Sequence, residues 1–208
     1  MTLEEKNQND ILNEFNDPND IEFIFSDKPI NRFKTKPELE DKISLLTKLK
    51  NDLQNIKNCE LKESAKNLVF SDGNSNSKIM IVGEGPGQKE DEIGKPFVGD
   101  AGLLLNKMLK AININRQNIY ITNVVNYRPP NNRKPEPAEI TRYSEYLRKH
   151  ISIINPKILI LMGSTAMESL FGSKIKISKE RGNWKEVIIN NKSYLTMITF
   201  HPAYLLRQ

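Results

Sequence analysis

Glu84, Glu90 and Asp91 stand in the stretch "MIVGEGPGQKEDEIGKPFVG", residues 80–99, where an apolar run passes into glycines and then into charges closed by Phe97. Glycines placed directly after a strand let backbone approach a ligand closely. A nucleoside triphosphate is the first ligand to weigh, and the loop is wrong for it. The Lys-Ser/Thr pair of a phosphate-binding loop is missing, and nearby carboxylates are badly placed to meet phosphate oxygens. Two more candidates lie downstream: Asn123 in "TNVV", and His201 in "HPAYLLR", one of only two histidines. The other, His150, falls in a helical stretch without a motif and reads as structural.

The elements that must position these residues follow from periodicity. Strand-like runs occur at "KIMIVG", "IYITNVV", "KILILMG" and "YLTMITF", separated by helical patterns near 100–112, 136–154 and 164–171. Alternation of this kind predicts an α/β fold with a mostly parallel sheet covered by helices on both faces. "EVIIN" followed by "NN" predicts an antiparallel hairpin with "SYLTMITF" at one edge. Upstream, Leu39, Ile43, Leu46, Leu49, Leu53 and Ile56 recur at helical spacing, with Thr35 and Glu38 forming a capping box and Pro37 in the first turn. Glu84 to Gly87, Asn123 and "HPAYLLR" then all follow carboxyl ends of strands, where open α/β sheets place ligands.

Composition narrows the classes. The chain has 208 residues, 38% of them hydrophobic and 27% charged, as expected for one globular domain with a tail. No apolar run approaches the roughly 18 residues of a membrane span, and the polar start "MTLEEKNQND" lacks a secretory core, which predicts a cytoplasmic protein without membrane contact. The single cysteine, Cys59, excludes an internal disulfide framework. The net charge of +5 hides an asymmetry: residues 1–28 hold eight acids and two bases, leaving 29 bases against 18 acids beyond them. A basic body favours a polyanionic partner. Residues 1–34 read as an acidic, weakly ordered or peripheral extension, and 35–208 as the functional domain.

Taken together, "GEGPGQKED", "GKPFVGDAG", "ITNVVNYRPPNNRKP", "LILMGSTA" and "HPAYLLR", in this order, resemble the family 4 uracil-DNA glycosylases of bacteria and archaea. The likeness spans about Phe70 to Arg207 and implies a three-layer α/β/α fold with a central, mainly parallel sheet. It also implies a further helix beyond Gln208. The implied activity is hydrolysis of the bond between uracil and deoxyribose in DNA, leaving an abasic site. A flipped base, not a triphosphate, is then the ligand of the glycine loop.

The resemblance assigns roles that suit the residue types. Phe97 matches the aromatic that stacks on the base, worth about 1 to 3 kcal/mol. Asn123 matches the reader of uracil, because one amide can donate to the 4-carbonyl and accept from the ring N–H, whereas cytosine offers the reverse. His201 matches the donor to the 2-carbonyl as negative charge gathers on the leaving base. Gly85 stands where glycosylases with a "GQDPYH" motif carry a water-activating Asp, and backbone amides from Gly85 through Gly87 to Gln88 are candidates to contact the base or a phosphate. Glu84 and Glu90 match acidic positions that order water or side chains, and Asn132 matches an asparagine near them. For DNA, Leu205 or Leu206 is the candidate wedge, Arg207 a phosphate contact, and Arg128, Arg133 and Lys134 further backbone contacts.

One departure is plain. Family 4 enzymes hold a four-iron cluster on four cysteines, and the matching positions here are Ile56, Cys59, Tyr127 and Tyr143. Alkyl and phenol groups do not replace thiolates in such a cluster, so no iron–sulfur cluster or other cofactor is expected, and packing should hold these loops. The sequence thus predicts a monomeric, metal-free DNA repair enzyme acting on uracil-containing DNA. The alternative is a DNA-binding relative of the same fold that has lost catalysis with its cluster.

Overall fold

The computed structural model describes residues 41–207, which belong to one compact unit, Leu39–Gln208. The expected acidic extension, the Thr35 capping box, Pro37, Leu39 and the continuation past Gln208 lie outside the described residues. Helix α1, Lys42–Gln54, is capped by Asp41, whose side chain accepts from the Ile43 amide. Its Leu49 and Leu53 are buried, but Ile43 is 65% exposed, so the apolar stripe expected from spacing begins later than Ile43. A short α2, Glu60–Ser64, follows.

A six-stranded sheet has the order β1-β3-β2-β4-β6-β5. Strands β2 (Ile79–Gly83), β3 (Tyr120–Asn123), β4 (Ile158–Met162) and β6 (Lys192–Thr199) run parallel. The edges, β1 (Asp72–Gly73) and β5 (Trp184–Ile189), are antiparallel to their neighbours. Strands β5 and β6 form the expected hairpin. Asn190 and Asn191 both take positive φ (49° and 59°), the two-residue turn whose twist suits a hairpin.

Alternation along the strands feeds two cores, one on each side. Met80, Val82, Leu159 and Leu161 join α1, α2 and the long helix α5, Pro137–Ile154, on one face. Ile81 and Ile121 meet Leu105 and Leu109 of α4, Asp100–Ala111, on the other. The remaining helices are α3 (Gln88–Ile93), α6 (Ser164–Phe171), α7 (Ile177–Glu180) and α8 (Pro202–Leu205). The result is the three-layer α/β/α arrangement the sequence predicted. No helix among the described residues is long and apolar enough to cross a membrane.

Candidate active site

The carboxyl ends of β2, β3 and β6 open into a cleft of about 250 Å³ that brings together Glu84, Gly85, Gly87, Glu90, Phe97, Asn123, Asn132, Arg133, His201 and Arg207. Register places Gly83 of β2 directly beside Asn123 of β3. A Cβ on Gly83 would sit 2.4 Å from Asn123 Oδ1 and 2.6 Å from the Phe97 ring. Glycine at the strand's last position therefore lets amide and ring meet. The sequence marks Gly83 only as the end of a strand; the neighbouring strand reveals this requirement.

Asn123 is 3% exposed, and its Nδ2 is the one buried side-chain polar atom among the described residues without a hydrogen-bond partner. Leaving such a donor unpaired costs about 1–3 kcal/mol, a cost an acceptor on a bound molecule would remove. Phe97 is buried, adopts a left-handed backbone (φ 52°), and stacks on His201 with ring centroids 5.4 Å apart and planes inclined by 26°. Its position is thus fixed by both core and cleft.

His201 ends the strand-to-helix turn before α8, where its Nδ1 accepts from the Ala203 amide at 3.1 Å. With Nδ1 an acceptor, the proton of the neutral ring resides on Nε2. Burial pushes the imidazole pKa below its ordinary value and outweighs the opposing pull of the Glu84 and Glu90 charges. His201 is therefore a neutral Nε2–H donor near pH 7. Gly163, at φ 97°, lies beneath it; a Cβ there would come within 3.2 Å of His201 Cβ.

The acidic residues separate into different tasks. Glu84 faces the cleft and accepts a 2.5 Å hydrogen bond from Thr165 in the first turn of α6. Glu90 Oε1 accepts from the amides of Val98 (2.9 Å) and Gly99 (2.7 Å), bracing the loop that carries Phe97. Asp91 accepts from the Lys66 and Asn67 amides and ties in a separate loop. Glu90 and Asp91 thus satisfy backbone N–H groups of neighbouring loops, while Glu84 and Glu90 both line the cleft.

Other expected site residues fare differently. Gln88 does not line the cleft and its side-chain Nε2 donates to Glu92 Oε1 at 3.0 Å, while Pro86, within the expected row of backbone amides, has no N–H to offer. Asn132 Oδ1 accepts from Arg128 Nε at 2.7 Å. Arg133 is paired with Glu139 at 2.7 Å, an interaction that lowers the Glu139 pKa, and Lys134 lies 3.2 Å from Glu168. Both cations, expected as backbone contacts for DNA, thus also pair with carboxylates of the protein, and Arg133 lines the cleft. Arg207 lines the cleft, and Leu205 and Leu206 are exposed on α8 and its end.

The four positions matching cluster ligands meet in one buried corner. Cys59 Sγ lies 3.2 Å from Tyr143 Oη, Tyr127 Oη donates to the Leu53 carbonyl, and Ile56 packs into the same core. Burial first, and Cys59 second, raise both phenol pKa values, so the phenols stay protonated. One thiol, one alkyl group and two protonated phenols, already packed and hydrogen-bonded, do not fit a four-iron cluster. Among the described residues, no three His, Cys, Asp or Glu side chains form a group that could hold a metal ion.

Comparison with known proteins agrees with this geometry. Residues 70–208 match the uracil DNA glycosylase superfamily. The chain is 44% identical over 150 residues to the type-4 uracil-DNA glycosylase of Thermotoga maritima, covering 72% of this chain and 77% of the relative. The type-4 uracil-DNA glycosylase of Sulfurisphaera tokodaii is 42% identical, with 77% and 76% covered, and that of Archaeoglobus fulgidus 36%, with 74% and 80%. The chain belongs to the uracil-DNA glycosylase superfamily and, within it, to the type-4 family.

Proposed function

We propose that this protein removes uracil from DNA by hydrolysing its N-glycosidic bond, and that it does so without an iron–sulfur cluster. The observation that carries the reading is the unpaired, buried Nδ2 of Asn123 in a cleft bounded by Phe97 and His201. Uracil supplies an acceptor for that donor at its 4-carbonyl, and its ring N–H supplies a donor for Oδ1. Cytosine supplies neither, so its entry would leave groups on both partners buried and unpaired.

Catalysis follows from the charge that develops. As the bond from C1′ to the base breaks, the sugar becomes cationic and the base accumulates negative charge on its 2-carbonyl. The neutral His201 Nε2–H stabilises that oxygen without first losing a proton, a contribution of about 3–4 kcal/mol for one preorganised donor. Glu84, oriented by Thr165, presents negative charge to the same cleft. Water oxygen then bonds to C1′, and the departing base takes up a proton. Gly85 provides no general base, so the reaction relies on stabilising the separated charges. DNA is the partner, with Arg207 and Arg128 as backbone contacts and Leu205 or Leu206 as the wedge, acting as a monomer in the cytoplasm.

A labelled single-stranded oligonucleotide with one uracil, incubated with protein and then treated with alkali, tests the reading. Strand breakage at the uracil is expected. Binding without breakage, where a control glycosylase cleaves, would mark an inactive DNA-binding relative.

A further inference from the structure

The residue that fixes Phe97 lies outside every motif that identifies the family resemblance. Arg116, in the short 3-10 turn Arg116–Asn118, directs the two terminal nitrogens of its guanidinium at the loop before α4. Its Nη2 donates to the Pro96 carbonyl at 2.7 Å and its Nη1 to the Phe97 carbonyl at 3.0 Å. Nη1 also meets Asn106 Oδ1 at 3.1 Å, on α4. Behind it, Asp72 of edge strand β1 holds Nε at 3.1 Å and Nη2 at 3.0 Å. Both side chains of this ion pair are largely shielded from solvent.

Phe97 needs such a restraint. A phenylalanine at φ 52° is in a region that costs about 1–3 kcal/mol and persists only when its surroundings determine it. Gly102 approaches so closely that a Cβ there would sit 1.9 Å from the Phe97 carbonyl oxygen, and Glu90 binds the next two amides. The carbonyls of Pro96 and Phe97 are held from the remaining side by Arg116 alone among the described side chains. Only a planar fork with several donors reaches two carbonyls and a carboxylate together.

We propose that Arg116, backed by Asp72, is a positioning residue for uracil recognition: it sets the plane of Phe97 and, through it, the stacking of the base. This rests on the function proposed above, and acts on base binding rather than on the departure of charge. Arg116→Ala is expected to raise the inhibition constant for free uracil and the KM for a uracil-containing single strand about tenfold, with kcat less affected. Arg116→Lys restores little, and Asp72→Asn, which keeps the fork but weakens its support, gives a smaller change of the same kind.

The decisive experiment is a double-mutant cycle with Phe97→Ala, run well below each variant's melting temperature. If Arg116 acts through Phe97, adding Arg116→Ala to Phe97→Ala changes the uracil inhibition constant by less than about twofold. Full multiplication in the Phe97→Ala background, or full rescue by Lys, would overturn the proposal while leaving the glycosylase reading intact. A wild-type protein that releases no uracil would instead defeat that reading. Should Arg116→Ala not fold, Asp72→Asn in the same cycle carries the test.

Discussion

Two buried regions of this sheet differ in how far their polar groups are satisfied within the protein. In the cleft, Asn123 keeps a donor without a partner, Phe97 holds a strained backbone and His201, its Nδ1 bonded to the Ala203 amide, lines the wall. In the corner of Ile56, Cys59, Tyr127 and Tyr143, the polar groups pair with one another or with backbone and the apolar groups are packed. The cleft carries unmet interactions that a ligand can complete. The corner has none left to offer, so its contribution is to stability.

If that contrast is right, changes in the cleft should act on chemistry and changes in the corner on melting. The largest effect is expected from His201→Ala: single-turnover excision slowed about 100-fold or more, with DNA affinity little altered, because the interaction develops in the transition state. Equal losses in both would make His201 structural. Asn123→Asp should lower uracil excision about tenfold or more and admit some cytosine, since a protonated carboxyl can reverse the pattern at the 4-position. Unchanged excision would remove Asn123 from the site.

Tyr127→Ala and Tyr143→Ala should leave the preference for uracil over cytosine unchanged while lowering the melting temperature. Emptying an aromatic core position costs about 3–5 kcal/mol. A change in selectivity before any loss of stability would erase the distinction between the regions. The smallest expected effect concerns pH. His150, stacked on Phe70 and bonded to Tyr120 at 2.7 Å, has its pKa pushed by burial to about 3. Between that value and its ordinary 6.5, the unfolded chain binds a proton the native one does not. Stability is therefore full above about pH 6.5 and falls as pH drops toward 3. The lowered pKa of His201 acts in the same direction. Melting curves at pH 5 and 7.5 check this, and His150→Gln should flatten the difference.

Much of the architecture is legible in the sequence itself. Long apolar runs gave the parallel strands, and "NN" gave the hairpin, because local chemistry decides both. Strand β1 was not readable, since two residues, Asp72 and Gly73, become a strand only by pairing with β3. The stripe on α1 failed at Ile43, which is 65% exposed while its neighbour Lys42 bonds to the Ile154 carbonyl at the end of α5, because burial depends on what packs against a face and not on spacing alone. At the site, residue type and motif order pointed to Phe97, Asn123 and His201, which the fold brings together. The supports, Gly83, Arg116 and Thr165, were missed because their reasons lie on other elements. Glu90 and Asp91 show the same limit: that their carboxylates accept from backbone amides of other loops, Glu90 while also lining the cleft, depends on the fold and not on the local sequence.

Iron content and uracil excision, measured on the same purified sample, test the central claim most directly. The account predicts a colourless protein with far less than one iron per chain that breaks a uracil-containing strand after alkali and keeps that activity after chelation. A brown preparation with about four irons per chain, or an iron-free one that gains activity only when iron and sulfide are restored, would contradict it.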